Sequence, residues 1–271
     1  MEPFLPLPVE GRVFTGECRV RLGDAAPSGR ARLDALARYL QDVAEDDAAD
    51  AGWPTSIGWV VRRMAVTVRQ FPTLGEHLRL QTFCSGTAAR WAERTTTVTG
   101  ADGGLAQASA TWVALDTETG RTAPVGELFE KVYSPSAGGR RASVRLKLGP
   151  PPPALTARAR PWPLRASDFD IWGHVNNAIS WAAVEDELGT RDWPALVAEV
   201  EYNEAIAAAA CPGVASRTSA TAIDLWVLEG TRVLTSAHLE ACEAQGPEAR
   251  SEGSVFPPQT TTATRSPGSG R

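Results

Sequence analysis

The chain has 271 residues, 43% of them hydrophobic and 22% charged, and a net charge of −5, enough for a sizeable core in one large domain or two similar ones. The acidic balance excludes nucleic acid as the main partner, and no apolar run reaches the roughly 18 residues of a membrane span. The four cysteines show no CxxC pair and the three histidines form no ligand cluster, so no zinc site is expected.

The start, Met1 to Pro6, is acidic and broken by prolines, with no basic region leading into an apolar core; it is not a signal peptide, and a reducing cytoplasm is expected. Phe14 to Leu22 alternates as a first strand, and Pro27-Ser28-Gly29 turns the chain. From Arg30 to about Asp50, Leu33, Leu36, Ala37, Leu40, Val43 and Ala44 recur at three and four, which predicts a long amphipathic helix stopped by Gly52-Trp53-Pro54. Strands follow over Ile57–Arg69, with Val60, Met64, Val66 and Val68 suited to one face, and over His77–Cys84, Arg90–Thr99 and Leu105–Leu115. Ala101-Asp102-Gly103-Gly104 joins the last two as a hairpin.

Residues 134–160 break the pattern. Ser134–Gly139 is loop-like, Ala142–Leu148 suits one short strand, and Pro150–Pro153 is a stiff proline run. Residues 131–160 also hold seven of the 27 basic residues and none of the 32 acidic ones, a patch for an acidic partner or else a solvated linker.

The order then repeats. Trp162–Arg165 reads as a strand, Asn177–Leu188 as a helix, and Leu196–Ile206, Ala215–Leu228 and Thr231–Cys242 as strands. Two copies of strand, helix and sheet imply an internal duplication and an α+β fold, each long helix wrapped by an antiparallel sheet. The expected divisions are an N-terminal domain over 1–133, a linker over 134–160, a C-terminal domain over 161–245 and a disordered Pro/Ser/Thr/Gly tail over 246–271.

The chemistry concentrates in Ser167-Asp168-Phe169-Asp170-Ile171-Trp172-Gly173-His174-Val175-Asn176-Asn177, immediately before the second helix. Unmet N–H groups and the macrodipole at a helix start favour negative charge, so an oxyanion could be held there by the N–H of Gly173 or His174. Asp170 is the candidate base or nucleophile; His174 could polarise a carbonyl, position water or protonate a leaving thiolate. Asn176 or Asn177 caps the helix. An ordinary Asx-rich cap around a satisfied histidine explains the same residue types. The corresponding loop of the first half, Gly23–Gly29, has no histidine, which implies one active site per chain.

With motif and repeat together, residues 10–245 resemble the acyl-ACP thioesterases, built from two hotdog domains in tandem. The likeness rests on Asp170-x-x-Gly173-His174-Val175-Asn176-Asn177, on Arg32-Leu33 through Tyr39-Leu40-Gln41-Asp42-Val43-Ala44, and on Val200-Glu201-Tyr202. The resemblance implies hydrolysis of a fatty acyl thioester carried on acyl carrier protein, without metal or redox cofactor, with Asp170 and His174 catalytic. The family pattern reads Asp-x-Asn-x-His, and Trp172 stands at its Asn; an indole offers one donor and no acceptor. The family's Glu falls on Ala205, with Glu204 one residue earlier, where only a bulge would turn it to the site. The first half is expected to shape the acyl pocket, with Trp53, Trp59, Val61 and Met64 as lining or plain core residues. An acyl-CoA thioesterase of the same fold and a degenerate acyl-binding protein are the alternatives; the Asp-x-Asn-Pro-x-His context of a hotdog hydratase is absent, since the Pro is missing and Trp172 interrupts it. The chain is expected as a monomer or homodimer, since exposed edges could pair two copies although a tandem chain already contains its pseudo-dimer.

Overall fold

The computed structural model describes residues 3–143 and 145–243; the tail expected from residue 246 lies outside the described residues. The first half contributes β1 (Phe14–Arg19), β2 (Ile57–Gln70), β3 (His77–Thr87), β4 (Trp91–Gly100) and β5 (Leu105–Asp116). The second contributes β6 (Arg160–Pro161), β7 (Ala195–Tyr202), β8 (Gly213–Thr218), β9 (Ala222–Glu229) and β10 (Arg232–Cys242). They form one ten-stranded sheet in the order β1-β3-β4-β5-β2-β7-β10-β9-β8-β6. Every neighbouring pair is antiparallel. The order is a palindrome: each half runs from its first strand at an edge to a long strand at the centre. There β2 meets β7, from Arg63 opposite Glu201 to Val68 opposite Leu196, so backbone hydrogen bonds fuse the halves.

Helices α1 (Leu33–Asp50) and α5 (Asn177–Leu188) pack against each other and against the sheet. Leu33, Leu36, Leu40 and Val43 of α1 join Trp181, Val184 and Leu188 of α5 in the main core, with Leu78, Leu80, Val66, Leu196, Val200 and Leu225 from the strands. The fully buried Trp181 donates Nε1–H to the Tyr202 hydroxyl at 2.9 Å, and that hydroxyl donates to the Asn177 carbonyl at 3.2 Å. A buried phenol thereby ties the first residue of α5 to the central strand. Among the described residues no helix is long and apolar enough to cross a membrane.

Several expectations are corrected. The first helix starts at Leu33, not Arg30, because Arg30 and Ala31 are held extended in bridges to Thr73 and Ala25. Val60 is exposed and Val61 buried, because a bulge between Val61 and Arg63 shifts which residues share the face of Met64. The expected strand over Ala215–Leu228 is the hairpin β8–β9, where Ser219 Oγ accepts from the N–H of Thr221 and Ala222 at 3.3 and 2.9 Å. The strand expected at Trp162–Arg165 is the two-residue β6 just before it, since Pro163 has no N–H to continue a ladder. In the connecting region, α2 (Gly126–Val132) precedes two helical turns, α3 (Ser134–Ala137) and α4 (Pro153–Thr156), where loop was expected. Among the described residues of 142–148 no strand forms; instead the N–H groups of Lys147 and Leu148 donate to the Glu201 carboxylate at 2.5 and 3.0 Å.

Candidate active site

The loop before α5 is a copy of the loop before α1. Arg21, Asp24, Gly29, Arg30 and Leu33 of the first copy correspond to Arg165, Asp168, Gly173, His174 and Asn177 of the second. Each copy opens with a short 3₁₀ turn, Leu22–Asp24 or Ala166–Asp168, whose aspartate accepts from the N–H of Arg21 at 3.1 Å or Arg165 at 2.8 Å. In each the aspartate carbonyl then accepts from the residue before the helix, Arg32 at 2.9 Å and Asn176 at 2.8 Å. Gly29 and Gly173 sit at φ +88° and +76°, a left-handed turn that side chains resist.

The copies differ where chemistry is expected. Asp170 replaces Ala26, and its Oδ1 accepts from the N–H of Trp172 at 2.9 Å and of His174 at 3.1 Å. Asn176 is the N-cap of α5, its side chain accepting from Ala178 N–H at 2.9 Å. In the first copy the N–H of Leu33, at the first position of α1, donates to Glu185 of α5 at 2.9 Å. Its counterpart, the N–H of Asn177, has no hydrogen-bond partner among the described residues.

A cavity of about 470 Å³ opens at this helix start. Asp170, Trp172, Asn176 and Asn177 line it together with Gln41, Ala44 and Ala48 of α1 and with Trp53, Trp59, Phe129 and Tyr133. These four rings form a cluster, with centroids 5.5 Å apart for Trp53–Trp59 and 5.3 Å for Phe129–Tyr133. Of the residues singled out from sequence, Asp170, Trp172, Asn176, Asn177, Trp53 and Trp59 line this one cavity. Gly173 and His174 are exposed beside it, and the Trp172 side chain stands 72% exposed at its rim. Val61 and Met64 are buried in the main core, away from the lining. Glu204 is exposed beyond the end of β7 and pairs with Arg232 at 3.2 Å.

Sequence reasoning missed Gln41, Phe129, Tyr133, Glu93 and Arg94 in the lining. Phe129 and Tyr133 arrive on and just after α2, unrecognised because its seven residues are too short for periodicity. Arg94 pairs with the buried Asp47 at 2.6 Å and lies over the Tyr133 ring, so the cavity wall is not purely apolar. Among the described residues no group of His, Cys, Asp and Glu could hold a metal. Cys84 also faces the cavity, but burial pushes its thiol up to about 11, as it does for Cys18. At pH 7.5 a soluble maleimide is therefore expected to label the exposed Cys211 well before Cys84 or Cys18; mass spectrometry of the labelling order checks this, and early labelling of Cys84 would contradict it.

The fold has known counterparts. It superposes on the 12:0-ACP thioesterase of Umbellularia californica with a TM-score of 0.70 at 17% identity, covering 86% of this chain and 98% of that one. By sequence the chain is 28% identical over 184 residues to an uncharacterized protein of Mycobacterium tuberculosis, covering 67% of this chain and 72% of that protein. It is also 24% identical over 196 residues to the chloroplastic palmitoyl-acyl carrier protein thioesterase of Gossypium hirsutum, covering 64% of this chain and 46% of that protein. A family model described as the acyl-ACP thioesterase N-terminal domain matches residues 11–133. The family match over the first half and the fold shared with known thioesterases support a thioester hydrolase. The protein's first half carries the acyl-ACP thioesterase N-terminal domain, in agreement with the resemblance noted in its sequence.

Proposed function

We propose that the protein hydrolyses a fatty acyl thioester carried on acyl carrier protein, releasing free fatty acid and holo-carrier, at one site formed where two tandem hotdog units meet. The observation that carries this reading is that Asp170 and Asn177, whose N–H has no partner among the described residues, line one cavity together with an aromatic cluster. The acyl chain lies along α1 toward Trp53, Trp59 and Phe129, which leaves the thioester carbonyl at the start of α5. There the Asn177 N–H, backed by the helix dipole, stabilises the oxyanion. Asp170, fixed through Oδ1 by two loop amides, takes a proton from water as the water oxygen attacks the carbonyl carbon. The C–S bond breaks, and the proton taken by Asp170 passes to His174, exposed on the same loop, and from it to the departing thiolate. In this reading Asn176 and Gly173 shape the loop, Trp172 borders the path of the pantetheine arm, and Glu204 stays outside the chemistry.

The division into an N-terminal unit over 1–133, a linker over 134–160 and a C-terminal unit over 161–245 is part of the same proposal, supported by the palindromic strand order. All seven basic residues from Lys131 to Arg160 are exposed, which supports this segment as the contact for an acidic carrier. Thiol release from acyl-ACP and matched acyl-CoA tests the reading, with a preference for acyl-ACP of about tenfold or more in kcat/KM expected, worth about 1.4 kcal/mol. A preference for acyl-CoA would identify an acyl-CoA thioesterase instead, and acyl binding without turnover on either carrier would identify a degenerate binding protein.

A further inference from the structure

We infer that Gln41 is a catalytic residue of this site, its carboxamide Nε2–H donating to the thioester oxygen beside the Asn177 N–H; the inference rests on the thioesterase reading above. Gln41 belongs to α1, in the other half of the chain from Asp170 and His174, and it lines the cavity together with Asp170, Asn176 and Asn177.

The internal duplication supplies the geometry. The offset that takes Arg30 onto His174 and Leu33 onto Asn177 also takes Gln41 onto Glu185. In the first copy Glu185 reaches across the α1–α5 contact, and its Oε2 accepts from Leu33 N–H at 2.9 Å. Arg30 grips both carboxylate oxygens, at 2.7 and 3.2 Å. Thus an anionic oxygen already occupies the start of α1, and the protein itself supplies it. Contacts across a two-fold relation are reciprocal: if a residue of α5 reaches the start of α1, its counterpart on α1 reaches the start of α5. That counterpart is Gln41, and it lines the same cavity as Asn177, in agreement with this relation.

The two copies differ by charge. An Arg–Glu pair closes the first copy, because the carboxylate fills the helix start and would repel any other oxyanion. The second copy has His174 and Gln41 at the same two positions. A neutral carboxamide leaves the Asn177 N–H open and adds a donor next to it, and an oxyanion gains from two donors aimed at it. One side chain on α1 therefore decides whether the helix start is filled from within or remains open to a thioester.

Steady-state thiol release from the best acyl-ACP substrate tests this on the full chain. Gln41→Ala is expected to lower kcat by about 30- to 100-fold with KM within about threefold, because the lost interaction belongs to the transition state. It should also bind a non-hydrolysable thioether analogue as tightly as wild type, which separates a catalytic role from a merely structural one. Gln41→Glu should recreate the closed copy, with turnover almost abolished at neutral pH. Part of that turnover should return on acidification relative to wild type, since only the protonated carboxyl can donate. An unchanged kcat in Gln41→Ala, or a Gln41→Glu variant as active as wild type across pH, would overturn the inference. Failure of wild type itself on every acyl thioester would instead overturn the thioesterase reading, and this inference with it.

Discussion

Replacing Asp170 by asparagine is expected to lower thioester turnover by about 100-fold or more while the unfolding midpoint stays at the wild-type value. The contrast follows from the two tasks of this side chain. Its Oδ1 accepts from the N–H groups of Trp172 and His174 and so holds the loop; an asparagine oxygen can make the same two bonds. What asparagine lacks is the negative charge and the capacity to take a proton from water. Steady-state thiol release and urea denaturation on the same preparations separate the two tasks. Turnover within threefold of wild type would remove Asp170 from the chemistry. A joint loss of turnover and stability would make it a loop-holding residue; the first copy argues against that outcome, since Ala26 stands at the same position of an otherwise matching loop.

Much of the architecture was legible because period and punctuation agree over long stretches. The second helix has the expected limits, Asn177–Leu188, since Asn176 caps it and Gly189 ends it. The hairpin at Ala101–Gly104 was marked by its glycines, and Gly103 takes φ +107° there. What escaped was decided by contacts distant in sequence. The pleat of β2 alone puts Val60 on the inner face, and the bulge that exposes it is a property of pairing with β5. Helix α2 is too short to show a period, yet it delivers Phe129 to the cavity. Of the site, the loop around Asp170 was evident from residue types, but Gln41 looked like any polar position on the outer side of a helix. Aligning Arg21–Leu33 with Arg165–Asn177 and carrying the offset into the helices would have paired it with Glu185. That pairing gains meaning only once Glu185 is seen across the α1–α5 contact, which no local pattern encodes.

That contact is also where the largest expected loss of stability lies. Glu185→Ala should destabilise the protein by about 3–5 kcal/mol, because Glu185 is 8% exposed and satisfies Leu33 N–H and the Arg30 guanidinium at once. Removing it leaves a cation whose side chain is 13% exposed, and a helix-start amide, without their partner. The reverse change, Arg30→Ala, abandons a buried carboxylate beside the start of α1, where the dipole compensates part of the loss, so its cost should be smaller. Replacing both, as Arg30→Met with Glu185→Leu, should cost less than Glu185→Ala alone, since a buried ion pair recovers only part of the desolvation of its charges and apolar groups of similar volume avoid that penalty. Urea unfolding with an unchanged m-value measures all three. A loss below about 1 kcal/mol in Glu185→Ala would mean that the pair contributes no more than an exposed one. In the expected case, the double variant separates two tasks of the first copy: the fold needs the contact between α1 and α5, whereas the charges of Arg30 and Glu185 serve chiefly to keep that helix start filled.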